Sequence, residues 1–398
     1  MASSSLSQRL SLGGIALIGL LVISHSSNDA LAGLLAPLLP SLEARFNLDK
    51  TALAALASTL SLFSNVLQPL FGSLVDRFGQ RIVATLGLLS VSVFMSLIGI
   101  APNIPIIILL LILGGLGSAA FHPAASSLVR QASHSVSNKA FVFGFFTSAG
   151  PLGQALSPLI VLWIVRSYGL QGTPLMMALG VILALVIYFN VPKRVNTAKK
   201  HGKLFDLSLL WGPVGLLALV GILRSIAFVT FINAMPLWVV AHGYARNAFE
   251  VGLPLSIYSA FSALGVLLGG AIEPRLGRRR LIVGAILLAL PFTLAILLAP
   301  VHSLIFYTLI AFSSVLTNAP IASLVVSAQD FAPHAIGTAS GMMMGMTWGL
   351  AGVLYIILGS LQETWGLGPA MSLGFWCLLP AGILAFFVLR PSANSAQG

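Results

Sequence analysis

A single cysteine, Cys377, occurs in 398 residues, which excludes a disulfide framework or a thiolate metal site within one chain. Charge is equally scarce: Asp, Glu, Lys and Arg make up 7% of the sequence, and only nine residues are acidic. No His-Glu-x-x-His pair, cysteine cluster or phosphate-binding glycine loop is present, and no substantial soluble domain is expected. A membrane-embedded enzyme would lack its nucleophile, base or metal, so neither enzyme activity nor a cofactor is expected. What abounds is apolar. Hydrophobic residues reach 58% with a mean hydropathy of +1.01, more apolar surface than a soluble core of this length buries. The chain reads as an all-α integral membrane protein.

Apolar runs of about 20 residues predict spans near 12–39, 51–75, 80–101, 104–128, 138–165, 171–191, 211–240, 249–272, 279–299, 303–328, 335–361 and 367–389. The count is twelve. The first is too long for a signal-peptide core and runs through Asp29 to Leu38 without a small-residue cleavage pattern. With the N-terminus cytoplasmic, fifteen Lys and Arg fall on the cytoplasmic side against Arg45, Lys50, Arg166 and Arg246 outside, and Arg224 lies within a span. This bias places both termini inside. It also accounts for the net charge of +11 without a nucleic-acid partner.

The polar stretch from Val191 to Ser208 carries Lys193, Arg194, Lys199, Lys200 and Lys203 and falls between the sixth and seventh spans. It divides the chain into an N-terminal six-helix bundle (1–191), a cytoplasmic linker (192–208) and a C-terminal six-helix bundle (209–398). The halves show weak self-similarity. Gly72-Ser-Leu-Val-Asp76-Arg77-Phe-Gly79-Gln-Arg81 follows the second span, and Gly270-Ala-Ile-Glu273-Pro274-Arg275-Leu-Gly277-Arg278-Arg279 follows the eighth, 198 positions later. Such pseudo-symmetric halves suit a transporter that rocks two bundles about a site near the midplane.

The Gly72–Arg81 run resembles the short cytoplasmic signature of the major facilitator superfamily, Gly-x-x-x-Asp-Arg-x-Gly-Arg-Arg. In physical terms Gly72 permits close helix approach, Gly79 a tight turn, and Asp76, Arg77 and Arg81 a charge cluster that closes the cytoplasmic side in one conformer. In the second copy Pro274 replaces the aspartate and the acid moves to Glu273, which weakens the expectation of equivalent gating. Three further segments are similar to the fosmidomycin resistance protein family: Ser24-His25-Ser-Ser-Asn28-Asp29, Leu67-Gln68-Pro69-Leu-Phe-Gly72, and Gly115-Leu-Gly117-Ser-Ala-Ala-Phe121-His122-Pro123. That resemblance implies a bacterial inner-membrane efflux protein. One departure is Ala124, where the family commonly has Glu. The fifth span carries Gly150-Pro151-Leu-Gly153-Gln154, similar to a signature of proton-coupled antiporters in the superfamily. Gly150 and Pro151 join the gating candidates on that ground.

Asp29 is the single acid predicted to lie in hydrocarbon, and His25 lies on the same helix face one turn away. An intramembrane carboxylate faces a cavity or partner and is a functional candidate by default. Asp29, His25 and His122 are therefore the proton-coupling candidates. Arg224, in the seventh span, is the candidate for an anionic group, facing Asp29 or sharing a ligand with it. The alternative is a structural ion pair between the two. Asn28, Gln68, Gln154, Asn233, Tyr258, Asn318 and Trp348 complete the expected substrate lining, with Asn65, Phe146, Trp238 and Phe261 as further polar and apolar walls. Met342–Met346 reads as adaptable packing or a pliant wall. The expectation is a monomeric secondary transporter, surrounded by lipid, that exchanges protons for a small amphipathic or anionic compound. Uptake or facilitated diffusion of an organic anion or metabolite is the alternative.

Overall fold

The computed structural model describes residues 14–133, 139–191 and 207–389. The expectations for Arg9, Lys193, Arg194, Lys199, Lys200, Lys203 and Arg390 lie outside these residues, as do the side chains of Gly72, Asp76 and Lys139. Twelve crossings follow one another: α1 (Gly14–Phe46), α2 (50–78), α3 (Gln80–Ile100), α4 (Ile104–Ala132), α5 (Lys139–Tyr168), α6 (Leu170–Asn190), α7 (Pro213–Ala241), α8 (Phe249–Leu276), α9 (Arg278–Ile296), α10 (Leu304–Phe331), α11 (Thr338–Trp365) and α12 (Leu367–Val388). Eleven of these are long and apolar enough to cross a bilayer. The remaining one, α2, is interrupted: Lys50–Ser61 and Gln68–Phe78 are α-helical, and Leu62–Val66 between them is a π-turn.

The first span ends later than its hydropathy predicts. It bends after Ala32 and resumes as Leu35–Phe46, stopping where Asn47 adopts the left-handed conformation at φ 50°, ψ 50°. A left-handed residue is a common helix stop. Leu38, Leu39 and Leu42 are buried in this extension, which packs against α7 of the other half.

Within the first half, α3 packs on α4 and α6, and α1 packs on α4 and α5; within the second, α8 and α9 pack on α10, and α7 packs on α11 and α12. The halves meet along α2–α11, α5–α8 and α1–α7. The repeat seen in sequence has a physical counterpart. Gly79 (φ 85°) and Gly277 (φ 82°), 198 positions apart, turn the chain between α2–α3 and α8–α9, a conformation only glycine adopts without strain. The Arg81 guanidinium lies 5.0 Å from the Tyr188 ring, and that of Arg279 lies 4.1 Å from the Phe386 ring. Both members of this second pair are again displaced by 198 positions, so each half fixes its first short-loop turn to its last helix by the same cation–π clasp.

Cross-half contact is tightest along α2–α11. The Lys50 backbone N–H donates to the Glu363 carboxylate at 2.9 Å, the Ser58 hydroxyl to the Gly352 carbonyl at 2.7 Å, and the Ser61 hydroxyl to the Trp348 carbonyl at 3.3 Å. The α2 π-turn meets a second π-turn, Met342–Met346, in α11. Single π-turns inside α-helices frequently sit at functional sites. A Cβ on Gly352 would collide with the Ser61 side chain. Gly352→Leu is therefore expected to force the two helices apart, destabilise the protein by about 1–3 kcal/mol and slow transport. An unchanged thermal midpoint in detergent would contradict this packing.

Candidate functional site

Two buried polar clusters occupy the interior, one in each half. In the first, His25 and Asp29 project from α1 one turn before its bend. The His25 Nδ1 lies 2.8 Å from the Phe146 carbonyl of α5. A carbonyl can only accept, so Nδ1 carries a hydrogen, and Nε2 faces the Asp29 Oδ2 at 3.7 Å. From α4, His122 Nε2 lies 3.5 Å from the other carboxylate oxygen, Oδ1. Asn28 donates from one amide nitrogen to Asp29 Oδ1 at 2.9 Å and to the Ser118 hydroxyl at 3.0 Å. Ser118 in turn lies 3.5 Å from His122 Nε2. The His25 ring stacks on Phe146 at 4.4 Å and meets His122 edge-on at 5.2 Å. The side chains of His25, Asp29 and His122 are 9%, 12% and 25% exposed, so His122 is the most accessible of the three.

Gly150 of α5 makes this arrangement possible. A Cβ there would occupy the position of Asp29 Oδ2 and stand 3.1 Å from His25 Nε2. The residue expected to gate thus leaves room for the carboxylate.

The second cluster centres on Arg224 of α7, which is 2% exposed. Its guanidinium donates from Nη1 to the Thr317 carbonyl at 3.1 Å and to Asn318 Oδ1 at 3.4 Å, and from Nη2 to the Ser225 hydroxyl at 3.0 Å. Nε is buried without a partner. The Trp348 ring of α11 lies 5.0 Å from the guanidinium carbon and meets Phe228 edge-on at 4.5 Å. Tyr258 of α8, 1% exposed, stacks on Phe231 at 4.2 Å. Trp348 stands 198 positions after Gly150, so equivalent places in the two halves serve opposite charges: an open place for a carboxylate, a ring face for a guanidinium.

No ion pair joins Asp29 to Arg224 among the described residues. The expected face-to-face pair, and its structural alternative, give way to two separate clusters. Each charge is held within its own half because each finds polar groups on neighbouring helices there. Among the described residues neither has a side chain of opposite fixed charge as partner: Asp29 meets two imidazoles and the Asn28 amide, and Arg224 meets neutral oxygens and the Trp348 ring.

Other predicted lining residues are less free. Asn65, Gln68 and Asn233 each donate to a carbonyl four residues back on their own helix, at 3.1, 3.0 and 3.0 Å. In a medium without water an amide turns a donor to the nearest backbone, leaving one N–H and the side-chain oxygen for a ligand. Gln154 lies against Gly33 of α1. Phe261 is exposed, and Trp238 meets the His242 ring at a tilt, centroids 4.4 Å apart, at the end of α7. Of the gating candidates, Arg77 is exposed and lies 5.3 Å from the Phe78 ring, and Arg81 holds the Val191 carbonyl at 3.4 Å. Pro151 lies within α5, half-buried.

The second signature copy is better connected than its sequence suggests. Glu273 accepts from Arg278 Nε at 2.8 Å and from the Ser323 hydroxyl at 2.6 Å, and Arg278 Nη1 donates to Asp330 at 2.5 Å. This network ties α8, α9 and α10 within one half. The hydrogen bonds to Arg278 and Ser323, together with the positive Arg278 nearby, are what bind the displaced acid. Ser118, at the hub of the first cluster, carried no signal in the sequence beyond its place in the Gly115–Pro123 run.

A family model for the Major Facilitator Superfamily matches residues 21–356. The chain belongs to the major facilitator superfamily. Its relatives include the uncharacterized MFS-type transporter YfnC of Bacillus subtilis, 28% identical over 379 residues that cover 92% of this chain and 91% of the relative. The fosmidomycin resistance protein of Escherichia coli is 26% identical over 374 residues, covering 91% and 89%. Among solved structures, a bacterial homologue of the human lysosomal transporter Spinster in an inward-facing, occupied conformation superposes with a TM-score of 0.77 at 14% identity, covering 95% of this chain and 97% of that one. The protein is a multi-pass transporter with a twelve-helix facilitator fold, and its substrate class is small molecules.

Proposed function

We propose that this protein is a proton-coupled exporter that moves a small anionic or amphipathic compound out across a bacterial inner membrane by alternating access. The observation that carries the reading is the first cluster: a carboxylate nine-tenths buried between two imidazoles, with no Lys or Arg partner among the described residues. In this reading Asp29 is the group that carries the exchanged proton, as an intramembrane carboxylate without a fixed cation, and His122 beside it is the relay. Arg224, buried without an acidic partner, supplies the complementary charge for an anionic substrate group, with Trp348 and Phe228 as its apolar wall. Proton and substrate each favour a different state of the rocking halves, so their exchange follows from differential affinity. Export rather than import is favoured by relatives whose names include fosmidomycin and multidrug resistance. The positive-inside bias puts both termini in the cytoplasm, and one chain supplies both clusters, so a monomer suffices.

The test is transport in inverted membrane vesicles, following fosmidomycin and a panel of organic anions with and without an imposed pH gradient. Accumulation that an uncoupler abolishes is the expected result. A flux indifferent to the gradient, or in the opposite direction, would overturn export and leave uptake or facilitated diffusion of an organic anion.

A further inference from the structure

We propose that His25, Asp29 and His122 form a binding site for a divalent transition-metal ion of the zinc and cobalt class. The two imidazole nitrogens and a carboxylate oxygen lie within 4.8 Å of one another. Their separations from Asp29, 3.7 and 3.5 Å, are too long for charge-assisted hydrogen bonds, which run to about 2.9 Å. They match a different geometry. Ligands bound tetrahedrally at roughly 2.0–2.2 Å stand roughly 3.3–3.6 Å apart, and each imidazole nitrogen stands close to that distance from its own oxygen of the Asp29 carboxylate, His25 from Oδ2 and His122 from Oδ1. One nitrogen from each ring and one carboxylate oxygen all fall within the 4.8 Å that a shared ion would draw together.

The surrounding groups hold the ligands as metal sites do. The Phe146 carbonyl takes the hydrogen on His25 Nδ1, leaving Nε2 as the ligand atom of the neutral ring, and the Asn28 amide orients the carboxylate. Outer partners of this kind set ring orientation and ligand basicity in metalloproteins. Asn28 is fully buried, and its Oδ1 has no hydrogen-bond partner, an acceptor beside the cluster that a cation or its bound water would satisfy. The donor set decides the class. Two imidazoles and one carboxylate suit zinc, cobalt or nickel, whereas magnesium and calcium require oxygen ligands. Three protein ligands leave a fourth position of a tetrahedral ion for water or an anion.

The site stands on geometry alone, whether or not Asp29 couples transport. The experiment is a Co2+ titration of the purified, tag-free full-length protein in detergent, read by the visible bands of tetrahedral Co2+. One Co2+ per chain is expected, displaced by Zn2+ and indifferent to Mg2+. Asp29→Asn and His122→Gln are expected to weaken binding at least about tenfold while circular dichroism and gel-filtration profiles stay those of the wild type. A weak octahedral spectrum alone, or a titration unchanged by both substitutions, overturns the proposal. If either variant fails to fold, Zn2+ and Co2+ competition in the wild-type protein decides: absence of a saturable, mutually exclusive site below millimolar metal is equally fatal. None of these readouts involves transport, so failure here leaves proton coupling untouched, and failure of coupling leaves the metal site untouched.

Discussion

Asp29→Asn is expected to abolish gradient-driven accumulation while the protein still binds and exchanges substrate. A pH difference of one unit is worth 1.36 kcal/mol, which sustains about a tenfold concentration ratio for one-for-one exchange. In vesicles carrying such a gradient the wild type should approach that ratio, and the variant should fall to equal concentrations on the two sides. Asn is isosteric and keeps an acceptor for the Asn28 amide, and the space left by Gly150 is unchanged, so expression and thermal stability should change little. Asn cannot carry the exchanged proton, so the substitution uncouples transport from the gradient, and substrate counterflow without a gradient should survive. If the variant still concentrated substrate under a pH gradient, Asp29 would be cleared of coupling, and the histidines would be the next groups to test.

Arg224→Gln is expected to cost about 2–3 kcal/mol in binding of anionic substrates, roughly 30- to 150-fold in affinity. Neutral amphipathic compounds should be affected far less. The guanidinium makes three hydrogen bonds to neutral oxygens and lies on Trp348. A glutamine replaces some of the hydrogen bonds and none of the charge. Arg224→Lys is the sharper control: it keeps the charge but loses the planar fork and the stacking face, so an intermediate loss is expected. Equal affinity for anions in wild type and Gln variant, measured by equilibrium binding in detergent, would remove Arg224 from the substrate site. It would then leave a structural role in joining α7 to α10.

Much of this architecture is legible without coordinates. Hydrophobic runs locate the crossings because the bilayer sets one length for all of them. The 198-residue offset locates the halves because both copies need glycine at the same turn, seen at Gly79 and Gly277. His25 and Asp29 are legible as a pair because four residues make one helical turn. The limits of the sequence are equally physical. Residues on α4 and α5 enter the first cluster through helix packing, so the place of His122 beside Asp29, and the space given by Gly150, depend on contacts more than 90 positions apart. Asn65, Gln68 and Asn233 carry the composition of a binding site, yet their amides serve their own helices. Glu273 shows the converse, since an acid one place out of register still meets Arg278 and Ser323.

The sequence by itself determined that the protein lies in a membrane, that it is built as two related halves, and that one acid and one arginine lie within hydrocarbon. These follow from solvation: hydrocarbon penalises every charge it receives, so the few that remain stand out. Only the tertiary structure decided that the two charges are kept apart, one in each bundle, with imidazoles around the acid and an indole face on the arginine. Partner choice is a matter of which side chains neighbouring helices bring within a few ångströms, and no local pattern in the chain encodes that distance.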